Sequence, residues 1–287
     1  KRAKDRVEEI GKRGLSRIEK QAALAAELPP LSAEADRLRR EWLQALAQAV
    51  PMLFLSLGDQ LHDVPGCDYA EYAETASLRA DSATQERDEA DWAAAFACET
   101  CLSKSLIETT RFQLITGGSQ QYFLKTIKSL LELTTTDKLQ RGLFGPWDMT
   151  DRKFSFRWSP EEDRRYAYAW TDPSDTDGEG IPSEHGANLL AAMGLPLFPS
   201  VPVHGHLSTT GIHPVDKDKE AFTWPIWLVP ARVDVVRSLL GCSLLRAEKP
   251  DRATLSRIGV AEVFRSRRIK IGSPPNARFN MTAAVSV

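Results

Sequence analysis

A chain of 287 residues with 42% hydrophobic and 26% charged positions holds enough apolar material for one large core or two modest ones. Its net charge of −2 excludes a uniformly cationic coat for nucleic acid, and no run of about 18 apolar residues reads as a membrane span. Four cysteines in a chain this long do not form a secreted disulfide framework and no secretory signal is visible, so a reducing cytoplasm is expected.

Residues 1–48 read as helix. Val7, Ile10, Leu15 and Ile18 recur near helical spacing, Pro29-Pro30 predicts a break, and a second helix carries Leu38, Trp42, Leu43 and Leu46 on one stripe. Ser32, Glu34 and Asp36 give that helix an acidic start, and Pro51 ends it. Gly66 to Asp91 is acidic and irregular and reads as a surface loop or weak helix. From Trp92 the series Trp92, Phe96, Leu102 and Leu106 predicts a helix that continues through Phe112 and Ile115 until Gly117-Gly118-Ser119 interrupts it. A further amphipathic helix starts near Gln121, with Phe123, Ile127, Leu130 and Leu131 as its apolar face. Thr134-Thr135-Thr136-Asp137 then caps a short helix ending near Gly142.

Past Gly145-Pro146-Trp147 the texture changes. Lys153 to Trp158 and Tyr166 to Trp170 alternate like strands, and Asp172 to Pro182 is a polar loop. Gly186 to Met193 reads as a short helix, followed by an apolar, proline-rich Leu195 to Pro199. Phe222 to Trp227 reads as a strand, Val233 to Leu240 as a helix, Val260 to Ile271 as the last strand, and the tail from Gly272 as loop. The expected fold class is α+β: a helix-rich region over 1–142, then an α+β region over 143–287 with a small antiparallel sheet and a basic C-terminal strand and tail.

Charge is unevenly spread. Residues 1–20 hold eight Lys/Arg against four acids, residues 57–100 hold eleven acids against two arginines, and residues 252–278 hold seven bases against Glu262 alone. Such asymmetry can present a basic face to phosphates on a near-neutral protein, or be a solvated surface whose opposite charges meet on folding.

A series of short motifs runs through the second half. Leu143-Phe144-Gly145-Pro146-Trp147 is followed by Phe156-Arg157-Trp158-Ser159-Pro160, by Glu162-Asp163-Arg164-Arg165-Tyr166-Ala167-Tyr168 and by Thr171-Asp172-Pro173-Ser174. Then come Gly186-Ala187-Asn188, Leu195-Pro196-Leu197-Phe198-Pro199, Thr209-Thr210-Gly211, Phe222-Thr223-Trp224-Pro225-Ile226-Trp227 and Arg237-Ser238-Leu239-Leu240. In this order the motifs resemble the large-subunit family of subtype I-G (formerly I-U) CRISPR Cascade effector complexes, over roughly residues 110–275. Some members of that family are much longer than this chain. The resemblance implies a non-catalytic subunit of an RNA-guided surveillance complex that engages the protospacer-adjacent motif (PAM) and helps open target DNA. The implied partners are the CRISPR guide RNA, target double-stranded DNA, the backbone and guide-end-binding subunits, and a separate helicase–nuclease that cuts. No membrane partner, cofactor or catalytic residue is expected.

Several residue groups carry candidate chemistry. Gly117, Gly118, Ser119, Gln120 and Gln121, with Lys125 nearby, read as a PAM-reading or strand-separating loop. Glycine lets backbone approach a duplex, glutamine can bond base edges, and Lys125 can hold a phosphate; the alternative is an ordinary turn between helices. Arg265, Arg267, Arg268 and Lys270 on the last strand, with Asn276 and Arg278 in the tail, read as a grip on the nucleic-acid backbone, or as a charged edge strand that blocks aggregation. Alternation places Arg265 and Arg267 on one face and Arg268 and Lys270 on the other. Arg164 and Arg165 contact guide RNA or a neighbouring subunit, or close an ion-pair network with Glu162-Asp163.

Cys98 and Cys101 have metal-ligand spacing, with His62 and Cys67 upstream, but a second such pair is missing and no metal is expected. His204, His206 and His213 suggest the alternative of a metal-dependent nuclease or phosphoesterase, although Ser208 stands where that pattern wants Asp, and an exposed loop is the expected reading. A third possibility is a purely structural assembly subunit. Ser183-Glu184-His185 is too common a combination to carry weight, and Trp158, Trp170, Trp224 and Trp227 are expected as core anchors rather than base-stacking platforms.

Overall fold

The computed structural model describes residues 2–12, 17–48, 50–82, 87–114, 122–158, 182–216, 219–271 and 278–287. Tertiary packing divides the chain into two units, 1–49 and 50–287. That division lies elsewhere than the change of texture near residue 143.

The first unit is a pair of helices, α1 (Arg2–Lys12) and α2 (Arg17–Gln48). The break expected at Pro29-Pro30 does not occur, because α2 runs through both prolines. A proline ring holds φ near the helical value, so it removes an intrahelical hydrogen bond without itself reversing the chain. Arg37 is paired with Glu34 and Glu41 on neighbouring turns, and Leu38 and Trp42 of the sequence-predicted stripe are exposed while Leu43 is buried.

The second unit begins with α3 (Gly66–Ser82) and α4 (Arg87–Phe96). The described residues of the acidic stretch are thus helical. Tyr69, Tyr72 and Ala76, spaced three and four apart, are buried along one side of α3 while its acids face outward. The long helix expected from Trp92 stops at Phe96 and becomes a hairpin, β1 (Ala97–Ser103) and β2 (Leu106–Thr109). Lys104 and Ser105 both take positive φ, 51° and 68°, the geometry of a two-residue hairpin turn. Neither residue type advertises such a turn, so spacing alone pointed to the wrong element.

Next come α5 (Phe123–Leu133), α6 (Thr136–Phe144), a two-residue pairing of β3 (Asp151–Arg152) with β4 (Pro182–Ser183), and α7 (His185–Met193). Thr135 caps α6 by accepting from the Lys138 amide, within the threonine run that predicts it. The strand expected over Lys153 to Trp158 is irregular chain, with positive φ at Lys153, Phe154 and Arg157. Hairpin β5 (Ser200–Val203) and β6 (His206–Thr209) leads to β7 (Ile212–Asp216) and β8 (Lys219–Trp227). Helices α8 (Val233–Leu240) and α9 (Arg252–Arg257) precede the twelve-residue β9 (Val260–Ile271). The tail adds β10 (Arg278–Met281) and β11 (Val285–Ser286), both antiparallel to β9, where a loop is expected from the sequence. The main sheet runs β10-β9-β8-β7, entirely antiparallel. The fold is α+β, helix-rich first and sheet-bearing second.

Strand alternation gives this sheet two different faces. Ala221, Thr223 and Pro225 of β8 are buried on the face shared with Val263 and Arg265 of β9. There Leu239, Leu245, Leu255, Val260 and Val263 form one apolar cluster, in which each fully buried leucine contributes about 2 kcal/mol. The opposite face presents half-buried aromatics. Phe222 stacks on Trp224 at 4.8 Å and Trp224 on Phe264 at 6.0 Å.

A continuous chain of ring contacts explains why the texture boundary is not a packing boundary. It passes from Phe54 through Phe96, Phe123, Phe156, Trp158 and Phe112 to Phe222, with centroid separations of 4.3–6.4 Å at each step. Aromatic residues from both sides of residue 143 therefore share one core. No helix among the described residues is long and apolar enough to cross a membrane.

Candidate nucleic-acid interface

Strand β9 carries the basic residues, and its register settles what each is placed to do. Arg265 is buried. Its guanidinium donates to Thr223 Oγ1 at 3.0 Å and to the carbonyl oxygens of Leu245, Ala247 and Glu248 at 3.0, 2.7 and 3.3 Å. Burial, and secondarily Arg267, lowers its pKa from the ordinary arginine value. Four acceptors around one buried cation make Arg265 an internal staple that fastens the segment after α8 to the sheet.

Arg268 is also committed. It donates to Glu220 Oε2 at 2.9 Å and lies 3.6 Å from the centre of the Phe279 ring. Arg111 approaches the other oxygen of Glu220 at 3.2 Å, so one carboxylate on β8 is held by two arginines. Arg267 and Lys270 remain exposed. The ladder contacts of Arg267 are backbone ones: its amide donates to Thr282 Oγ1 and its carbonyl accepts from the Thr282 amide. On each face of β9 one base is tied down and one projects. Arg278 lies in β10 with its backbone paired to Ile271.

Gly117, Gly118, Ser119, Gln120, Gln121, Arg164, Arg165 and Asn276 lie outside the described residues. The chain beyond the glycine loop is described. Lys125 is exposed on the first turn of α5, 3.8 Å from Asp59 and above the Tyr122 ring. The initial amides of α5 are occupied: Leu124 and Lys125 donate to the Asp59 carbonyl, and Phe123 donates to Gln60 Oε1. A helix start whose amides are already bonded offers no open seat for an anion. The depression beside it is lined by Asp59, Asp63 and Asp68, a setting that disfavours phosphate away from Lys125.

The metal candidates do not assemble. Among the described residues no group of three or more His, Cys, Asp and Glu is placed to hold an ion. Cys98 lies 3.1 Å from Thr100 Oγ1, while Cys101 is enclosed and burial pushes its thiol pKa up. His204 occupies a hairpin turn at φ 51°, and His206 is exposed beside Glu108 at 3.2 Å. His213 is buried, with its pKa lowered by burial and by Arg265 and Arg246.

Sequence reasoning passed over a second charged cluster. Lys138 and Arg141 on α6 meet Asp151 on β3 at 2.5 and 3.3 Å, and Arg141 meets the fully buried Glu184 at 2.7 Å. His185 Nε2 lies 3.2 Å from the Arg152 carbonyl and its Nδ1 lies 3.4 Å from Lys138 Nζ. Two glycines allow the close crossing: a Cβ on Gly142 would fall 2.8 Å from the Ala187 amide nitrogen, and one on Gly186 would strike the Lys138 carbonyl. With every carboxylate already partnered, the cluster is a clamp between α6, β3 and α7. The signal available in the sequence was Gly142 opposite Gly186 on two short helices, legible only once those helices are known to cross.

Comparison of the chain with known protein families, with curated proteins and with solved structures gives no match.

Proposed function

We propose that the chain is a non-catalytic large subunit of an RNA-guided type I CRISPR surveillance complex, acting in the cytoplasm to engage the PAM duplex and help open target DNA. The observation that carries this reading is the ordered series of motifs from Leu143-Phe144-Gly145-Pro146-Trp147 to Arg237-Ser238-Leu239-Leu240. The glycine–glutamine segment 117–121 and the exposed Arg267 and Lys270 supply the two chemistries the role needs, short-range duplex readout and a salt-sensitive hold on phosphates. Long-range specificity comes from guide–target pairing, so this chain needs to read only a short element. Cleavage belongs to a separate helicase–nuclease.

The test is co-purification from the native host. A tagged copy should retain guide RNA and the other subunits of the complex, and the assembly should bind target duplex in a PAM-dependent manner. A tagged copy recovered without RNA or partners would end this reading.

A further inference from the structure

The half-buried aromatic face of the main sheet forms one wall of a cavity of about 340 Å³ that is partly open to solvent, with α7 and the turn at Leu195–Leu197 on the other side. Phe222 and Trp224 of β8 face it, together with Phe112, Trp158, Phe198 and Leu195. Phe112, Phe198 and Phe222 meet pairwise at 5.1–5.3 Å in tilted and edge-on contacts, so their positions are mutually braced.

Three polar groups on the wall are engaged elsewhere. The Trp158 indole N–H donates to the Phe112 carbonyl at 2.7 Å, and the Ser266 hydroxyl donates to the Thr282 carbonyl at 2.6 Å. Thr282 Oγ1 accepts from the Arg267 amide at 2.9 Å. Among the described residues no charged side chain lines the space. Water needs two to four polar partners to be held well, so a wall of this composition holds it poorly. A flat hydrocarbon ring gains both burial and aromatic contact there.

We propose that this cavity is a binding site for one uncharged aromatic ring system of one or two rings. The volume falls within the range of small-molecule sites. Among the described residues no cation stands on its wall, which selects against carboxylates and phosphates, because either would be desolvated without a counter-charge. The same chemistry is offered by a free aromatic compound and by a tryptophan side chain of a partner. The inference is independent of the CRISPR reading.

Titration of the full chain with 5-fluoroindole, followed by fluorine NMR, tests it. One saturable site is expected. Ala191→Phe and Ala284→Trp each add a ring at an exposed position on the cavity wall, and each should weaken binding at least tenfold with the urea midpoint unchanged. Indole-3-acetate should bind at least tenfold more weakly than indole. Displacement by N-acetyl-tryptophanamide assigns the ligand to a protein side chain, and displacement by indole alone assigns it to a free compound. Absence of saturation, equal binding to both filled variants, equal affinity for the acetate, or displacement by a thymidine oligonucleotide would each overturn the proposal.

Discussion

Arg141 and Glu184 form the innermost ion pair of the α6–α7 clamp: an arginine nitrogen lies 2.7 Å from a carboxylate oxygen whose side chain is 0% exposed. The second oxygen of Glu184 accepts from the Asp148 amide. Removing the arginine therefore strands a buried negative charge. Arg141→Ala should cost about 3 kcal/mol, seen as a lowered urea midpoint. Glu184→Gln keeps one acceptor oxygen for Arg141, gives up the bond from the Asp148 amide and removes the buried charge, and should cost less. Equal loss in the two variants would show that the pair is not what holds the clamp.

The same crossing makes a steric prediction. Gly186→Ala places a methyl group against the Lys138 backbone, which no rotamer change can relieve, and should destabilise by about 2 kcal/mol or more. Ala187→Gly, one position along, should cost about 1 kcal/mol through helix propensity alone. Thermal unfolding of the two variants checks the ordering.

Bases on β9 should divide into two behaviours. Arg265→Met abandons three carbonyls and Thr223 and should lower stability by about 3 kcal/mol. Arg267→Glu and Lys270→Glu should leave stability nearly unchanged. In the proposed complex each is expected to weaken duplex binding across all sequences and to reduce the salt slope by about one. Unchanged affinity at moderate salt in the double variant would remove this strand from the interface.

His213 gives stability a pH limb. Its folded pKa is depressed, by burial first and then by Arg265 and Arg246, so the unfolded chain takes up a proton that the native state resists. Stability is full above the unfolded histidine value, about 6.5, and declines as pH falls from there toward the folded value. His213→Gln should flatten that limb in urea titrations between about pH 7 and 5. Asp151 acts in a lower window. Burial alone would raise its pKa, but the hydrogen bonds from Lys138 and the His185 amide outweigh burial and hold it down. Its contribution is present above the unfolded aspartate value, about 3.9, and is lost below it.

Gln120→Ala with Gln121→Ala addresses the proposed duplex readout. In the assembled complex the double variant should lose PAM discrimination while still carrying guide RNA. Retained PAM dependence would take these two residues out of the mechanism.

What the sequence determined by itself was strongest where one local pattern met no competitor. Strand β9 spans Val260–Ile271 and helix α8 spans Val233–Leu240, as alternation and helical spacing require, and Thr135 caps α6 from within its threonine run. The division of Arg265 and Arg267 from Arg268 and Lys270 followed from the two-residue period of a strand. Tertiary structure decided the rest. Trp92, Phe96, Leu102 and Leu106 fit a helical stripe, yet the chain turns at Lys104-Ser105 because its neighbours reward a hairpin more than an extended helix. Alternation could sort four bases into two faces, but only packing could show that Arg265 faces three carbonyls and Arg268 a carboxylate, while Arg267 and Lys270 face water. The physical reason is range. Backbone period is set by residues three or four apart, whereas the partner that consumes a charge or closes a cavity arrives from a distant part of the chain.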